Sequence, residues 1–147
     1  MKIRILITTA LLSTISLFAS TPVKAENSVN NVRRLLETRA CYGCNLKGAN
    51  LRGAHLIGAD LRNANLKGAN LEGANLEGAD LTGANLESAN LSQTFASDTT
   101  FDNANLSHAD LSNAHLYNAQ VDGAVMIDTN ISGANGFNII LGVGGEE

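Results

Sequence analysis

Apolar side chains recur at every fifth position along most of this chain. From residue 44 the sequence runs CNLKG, ANLRG, AHLIG, ADLRN and onward, with Leu at the centre of each unit and a small residue two positions before it. Eighteen centres follow without a phase slip from Leu46 to Ile131. Apart from Ala96, the predicted core ladder is Leu46, Leu51, Leu56, Leu61, Leu66, Leu71, Leu76, Leu81, Leu86, Leu91, Phe101, Leu106, Leu111, Leu116, Val121, Met126 and Ile131.

A period of five fits neither an α-helix, with 3.6 residues per turn, nor a β-strand, whose side chains alternate with a period of two. It fits a chain that turns a corner once per unit, so that the centre and the preceding Ala both face inward. The other three positions then face water. Asn or Asp comes before the centre, and Gly usually stands at the second position after it, where a corner requires a positive φ.

These units, such as ANLEG and ADLTG, closely resemble the A(D/N)LXX motif of the pentapeptide repeat family, over residues 44–134. The resemblance implies an all-β fold, a right-handed quadrilateral parallel β-solenoid with four units per coil. Eighteen units make about 4.5 coils and a rod roughly 22 Å long. Most members of the family have no known enzymatic activity, so the resemblance implies a structural or interaction module.

The first residues have the pattern of a secretory signal peptide: MKIR, then the apolar ILITTALLSTISLFAS, then TPVKA. We expect cleavage after Ala25; an uncleaved anchor is the alternative, although the apolar stretch is short for a membrane span. The prediction is export to the periplasm or the thylakoid lumen, with no membrane span in the mature chain. The expected organisation is a signal peptide (1–25), a capping helix (26–40), the solenoid (41–135) and a C-terminal cap or tail (136–147).

Both solenoid ends need cover, because an open end exposes unpaired backbone groups. Before the repeats, apolar residues at helical spacing behind Ser28 predict a short amphipathic helix on the first coil: Val29, Val32, Leu35 and Leu36. After the repeats, the apolar residues Phe137, Ile139, Ile140 and Leu141 either plug the C-terminal end or recruit a second copy into a homodimer.

The net charge of the chain argues against one class of function, nucleic-acid binding. The chain has 10 Lys and Arg against 14 Asp and Glu, a formal charge of −4, and cleavage after Ala25 would leave −7. An electrostatic nucleic-acid binder needs the opposite sign, so no nucleic-acid partner is expected. Because residues 20 apart share a face, Arg52 should pair with Glu72 and Lys67 with Glu87. These faces are either a self-complementary solvated surface or a docking surface for a charged partner.

The sharpest chemical motif is Cys41-Tyr42-Gly43-Cys44. Both cysteines fall on inward positions at the start of the core, and in an oxidising compartment such a pair most often forms a structural disulfide. Reduced buried thiols, a redox-active pair and a metal site are the alternatives. The redox-active pair supplies the runner-up function: a periplasmic or lumenal protein that switches through a Cys41–Cys44 disulfide.

No residue set resembles an active site, so we predict no enzyme activity, cofactor or metal. His55, His108 and His115 fall on outward positions, and no Ser or Cys is spaced to pair with them. Asp60 and Asp80 stack on one face only because the repeat favours Asn or Asp there.

The repeat is weakest at residues 92–104, SQTFASDTTFDNA. Ala96 leaves room at its centre, which either Phe95 or Phe101 would fill, and an exposed Phe95 would mark a partner contact. The sequence thus predicts a non-enzymatic, extracytoplasmic structural or interaction module with an unknown protein partner. A minor alternative is DNA mimicry toward gyrase, as in quinolone-resistance members of the family; export and the cations at 47, 52, 62 and 67 argue against it.

Overall fold

The computed structural model of the chain describes residues 23–136, with side chains described for residues 29–136. A single helix, α1 (Val23–Thr38), comes first. The predicted signal segment lies mostly outside the described residues, and so do the apolar residues 137–141. Among the described residues, no helix is long and apolar enough to cross a membrane.

Helix α1 differs from the predicted helix at both ends. It begins at Val23 rather than at residue 26, because Lys24 and Ala25 are good helix formers, and Ser28 lies inside the helix rather than at its N-cap. At its C-terminus, Arg39 adopts a left-handed conformation with φ 56° and donates its N–H to the Leu35 carbonyl at 2.8 Å. This closes the helix two residues before the predicted end.

Behind α1 the chain winds into a four-sided parallel β-solenoid. Its strands are single bridged residues, one per five-residue unit, and every bridge joins a residue to the one 20 positions later. Sixteen bridges run in unbroken register from Ala40↔Asp60 to His115↔Asn135. A coil of four units is therefore observed directly. Backbone bonds such as Leu66 N–H to the Asn85 carbonyl, 2.8 Å, connect successive coils.

Each corner is a tight turn with one left-handed residue. In a typical unit the Ala69 N–H donates to the Leu66 carbonyl at 2.9 Å, and Gly68 between them has φ 64°. All nineteen corner positions from Gly43 to Gly133 have positive φ, including nine that are not glycine. The prediction of a left-handed corner is therefore confirmed even where the expected glycine is missing.

The ladder positions from Leu46 to Leu116, including Ala96 and Phe101, are buried. Phe101 lies on the side of the coil next to Ala96, so its larger ring supplies the volume that Ala96 lacks. Thr94 and Thr99 replace the usual Ala in these two units and are also buried. Their hydroxyls donate to the Leu91 and Leu76 carbonyls, each at 2.8 Å, so neither buried oxygen is unsatisfied.

The ends of the rod correct two expectations. Val121 and Met126 are only half-buried and Ile131 is 41% exposed, because the described residues place no further coil on this one. On α1, Leu35 is fully buried and Val32 partly, whereas Val29 is 62% and Leu36 49% exposed. The helix touches the first coil along a narrow line, too narrow for all four apolar residues.

Candidate interaction surface

The Asn or Asp before each centre has a local structural role. Its side-chain oxygen accepts the backbone N–H two residues later, as from Asn75 Oδ1 to the Glu77 N–H at 3.0 Å. Twelve units make this bond. It satisfies a corner N–H that no backbone carbonyl reaches, which explains why short side chains with an acceptor oxygen prevail there.

One side of the rod departs from this rule in three of its four units. His55, Phe95 and His115 replace Asn or Asp, and only Asn75 keeps the usual bond. Among the described residues, the Ile57 and Ser97 N–H groups consequently have no acceptor. We call this side the aromatic face; its outward residues are His55, Ile57, Asn75, Glu77, Phe95, Ser97, His115 and Tyr117.

The aromatic face exposes apolar side chains in the middle of a polar rod. Phe95 is 51% exposed, and Ile57 and Tyr117 are exposed to a similar degree. The Phe95 and His115 rings stack in parallel, with centroids 5.1 Å apart and 2° between planes. Because these residues stand 20 positions apart, the coil register itself brings the rings together. The stacked rings thus form part of an exposed apolar patch on this face.

The structure resolves the sequence ambiguity between the two phenylalanines. Phe101 occupies the interior beside Ala96, and Phe95 points outward, where the sequence placed a candidate contact. The stacking of Phe95 on His115 was not anticipated. The 20-residue period contains that signal, because it places residue 95 directly under residue 115.

The two cysteines form a disulfide beneath α1. Cys41 is fully buried and continues the column of Leu61, while Cys44 takes the inward small-residue position. Asn31 of α1 spans the junction: its carbonyl oxygen lies 3.6 Å from Cys41 Sγ, and its side-chain amide donates to the Asn45 carbonyl at 3.1 Å. The disulfide therefore lies where the helix joins the first coil.

Ion pairs connect the coils nearest α1. Arg52 and Glu72 lie 3.0 Å apart and Lys67 and Glu87 2.8 Å, in the pairs expected from the 20-residue spacing. The Lys67 ammonium donates to Glu87 and lowers the pKa of that carboxyl.

Arg62 contacts two carboxylates, Asp60 at 2.8 Å and Asp80 at 3.7 Å, and lies over the Tyr42 ring. Its side-chain hydrogen bonds to Asp60 lower the pKa of that carboxyl. The stacked carboxylates Asp60 and Asp80 thus share one cation, which gives them a structural role in the surface.

The histidines are dispersed. His55 is exposed, His115 lies against Phe95, and His108 Nδ1 is 3.6 Å from Asp128 Oδ2. Within residues 29–136, no group of three or more His, Cys, Asp or Glu side chains is placed to hold a metal ion.

Comparison with known proteins gives consistent matches. The family profile "Pentapeptide repeats" matches residues 44–83, 79–116 and 104–135, in eight copies. A pentapeptide repeat protein from the thylakoid lumen of Arabidopsis thaliana is 34% identical, over 67% of this chain and 69% of that one, with a TM-score of 0.66. None of the curated proteins matches the chain.

A second solved structure, the pentapeptide repeat protein Rfr23 from the cyanobacterium Cyanothece, is 31% identical. The match covers 73% of this chain and 93% of that one, with a TM-score of 0.35. Pentapeptide repeat proteins such as the Arabidopsis protein are right-handed quadrilateral β-solenoids, and the coils described above have this fold.

Proposed function

Since the chain belongs to the pentapeptide repeat family, we propose that it is a non-enzymatic protein-interaction module that works in an extracytoplasmic compartment, the periplasm or the thylakoid lumen. Two observations support the compartment: the secretory pattern of residues 1–25, and the likeness to a protein of the Arabidopsis thylakoid lumen. The disulfide is consistent with an oxidising location.

The aromatic face is the observation that supports an interaction role. Exposed aliphatic and aromatic side chains grouped on one surface are typical of protein-binding sites. Phe95 and His115 are held by the coil register, so little side-chain entropy is lost when a partner covers them. The unpaired N–H groups of Ile57 and Ser97 offer donors to a partner carbonyl on the same surface.

Affinity capture with matched variants tests this role. The exported protein is used as bait in the extracytoplasmic fraction of its source, beside Phe95→Ala and Tyr42→Ala. Tyr42 is also an exposed aromatic residue but lies on a different side of the rod, next to Arg62. We expect a partner that Phe95→Ala loses and Tyr42→Ala keeps. A partner retained by both variants, or lost by both, would contradict the assignment of this face.

The disulfide favours a second candidate function, in which its reduction loosens the α1 cap. An external dithiol would supply two electrons and two protons, leaving two thiols on this chain and a disulfide on the reductant. Cys41 is fully buried and Cys44 nearly so. The thiolate of the reductant can therefore reach the disulfide only after α1 moves away, so reduction of the disulfide should be slow.

A count of free thiols distinguishes a redox switch from a permanent structural disulfide. Protein isolated with rapid alkylation is assayed with and without denaturant, and then the unfolding of the oxidised and reduced forms is compared. Two thiols in a substantial share of native protein, with partner capture that changes with reductant, would support switching. A fully oxidised pool whose partner is indifferent to reductant would leave the disulfide as a staple.

Nothing on the described surface specifically favours DNA mimicry. Arg52, Arg62 and Lys67 neutralise carboxylates on the first coils, so the acidic surface does not extend along the whole rod.

A further inference from the structure

Charge is strongly polarised along the chain. Residues 26–67 contain seven Lys or Arg and three carboxylate side chains, whereas residues 68–147 contain eleven carboxylates and no Lys or Arg. The coils stack in sequence order, so this asymmetry becomes an asymmetry along the rod axis. The end that carries α1 is positive, and the acidic coils lie progressively farther from it.

Ion pairs neutralise the cations on the coils and leave the unpaired cations near α1, which increases the charge asymmetry along the rod. Arg52, Arg62 and Lys67 each contact a carboxylate. Within residues 29–136, four Lys or Arg side chains make no ion pair, all are exposed, and all lie on α1 or on the chain from residue 39 to 47: Arg33, Arg34, Arg39 and Lys47. We call the surface formed by α1 and residues 39–50 the basic end.

The basic end also exposes apolar groups. Val29 and Leu36 share one flank of α1, Arg33 lies next to Val29 on the side away from Leu36, and the exposed Tyr42 follows the helix. Beside that flank, an open notch of about 270 Å³ separates the helix from the corner at Gly48. The notch is lined by Val29, Val32, Lys47, Gly48, Ala49 and Asn50.

We propose that the basic end docks the protein on an anionic lipid surface. Cations mixed with aliphatic residues and a tyrosine are the combination that interfacial helices use, with the cations at headgroups and the apolar groups just below them. A field of headgroups can neutralise cations scattered over a convex end, whereas a protein partner would need a carboxylate matched to each. The notch beside Lys47 provides apolar walls and one cation, which suit a lipid headgroup and its first acyl carbons.

The polarity of the rod orients this docking. An anionic membrane attracts the basic end and repels the acidic coils. The solenoid axis should therefore point away from the membrane surface, with the basic end in contact with it. The acidic coils beyond the first lie about one screening length or more from the membrane surface, and this length is about 8 Å at physiological salt. Screening therefore limits the repulsion between these coils and the membrane. In this orientation the aromatic face remains accessible to a protein partner.

Vesicle co-sedimentation tests the proposal on the processed protein recovered after export, with its N-terminus established by mass spectrometry. Vesicles of phosphatidylcholine with 30% phosphatidylglycerol are compared with phosphatidylcholine alone. Each cation near an anionic surface contributes about 1 kcal/mol. The double variant Arg33→Gln/Arg34→Gln should therefore lower the partition coefficient on the anionic vesicles roughly 30-fold.

The matched control is Arg52→Gln/Lys67→Gln, which removes the same charge from ion-paired cations on the coils. It should change the partition coefficient less than about threefold. No binding, equal binding to both vesicle types, or equal losses in the two double variants would overturn the proposal. So would salt-sensitive self-association that Arg33→Gln/Arg34→Gln abolishes, which would identify a second copy as the occupant. These results do not depend on protein capture, so the two proposals can fail separately.

Discussion

The two halves of the solenoid have the same left-handed backbone conformation at their corners, but different residue types adopt it in each half. In the first half, residues 44–85, eight of the nine corner positions from 43 to 83 are glycine, and Asn63 is the exception. In the second half, residues 86–135, seven successive corners from Ser88 to Asn118 carry side chains and still have positive φ. Local preference produces the corner in the first half, whereas hydrogen bonding between coils imposes it in the second.

The interiors differ in the same way. The first half stacks Leu on Leu with Ala between, so each position is suited to the fold by itself. The second half contains Ala96, Phe101 and two buried threonines, and these fit only as a group. Successive coils support one another in a solenoid, which allows a locally unfavourable coil to persist between favourable ones. The comparison can be tested at four levels, from interior volume to surface charge.

Leu76→Ala should have the largest effect, lowering the free energy of unfolding by about 2–5 kcal/mol. Leu76 is fully buried directly below Ala96, whose short side chain cannot fill the resulting cavity. Met126→Ala, on the half-covered last coil, should cost about 1 kcal/mol, because part of that side chain already contacts water. Urea denaturation of both variants and of Asn75→Ala measures this. Equal costs for Leu76→Ala and Asn75→Ala would mean that the inward register is wrong.

Ala96→Leu tests whether the irregular coil fits only as a group. A leucine beside the Phe101 ring should overpack the interior and cost about 1–3 kcal/mol, although leucine is the usual residue at a centre. Adding Phe101→Leu should recover most of the loss. A double-mutant cycle by chemical denaturation gives the coupling free energy. A coupling near zero would show that the two side chains do not share volume.

Opposite substitutions at two corners should change stability in opposite directions. Gly68→Ala should destabilise the protein by about 1 kcal/mol: a Cβ there meets nothing within 4 Å, so the left-handed φ alone opposes it. Gln93→Gly should stabilise it by several tenths of a kcal/mol up to about 1, because it relieves a φ of 58° against the added chain entropy of glycine. Thermal unfolding detects both. Stabilisation by Gly68→Ala would contradict the role assigned to the corner.

Acid titration should show the smallest effect. Lys67 lowers the pKa of Glu87 in the folded protein, so the ionised pair stabilises the fold above the ordinary glutamate value of 4.5. That stabilisation disappears as the pH falls below 4.5 through the lowered folded value. Lys67→Gln should therefore reduce the free energy of unfolding slightly at pH 7 and by less at pH 3. A difference of the same size at pH 3 would exclude the ion pair as its cause.

Much of the fold follows from the sequence because each unit repeats one local solution. The spacing of the Leu centres defines the coil, its corners and the partners of Arg52 and Lys67. The sequence predictions were wrong where the burial of a side chain depends on a neighbouring coil or helix that covers it. Ile131 has the pattern of a core position but is exposed on the last coil, and Val29 has helical spacing but lies beyond the narrow contact of α1.

The aromatic face was predictable only in part. An outward Phe95 follows from register alone once Phe101 is placed inside. The lost acceptors at His55 and His115 become meaningful only after the hydrogen bond made by their Asn and Asp counterparts is known. That bond belongs to a turn geometry, which the pattern of apolar residues does not specify.

The bridges between residues 20 apart also determine which changes in chain length this molecule can tolerate. Removing one five-residue unit would keep every later side chain inside or outside as before, but it would rotate all of them by a quarter turn relative to the coils below. Removing a unit between residues 67 and 87 would therefore separate Glu87 from Lys67, and removing one between residues 95 and 115 would separate His115 from Phe95. Only insertions or deletions of whole coils keep all the stacked columns aligned, so the chain can change its length without misaligning its surfaces only in steps of twenty residues.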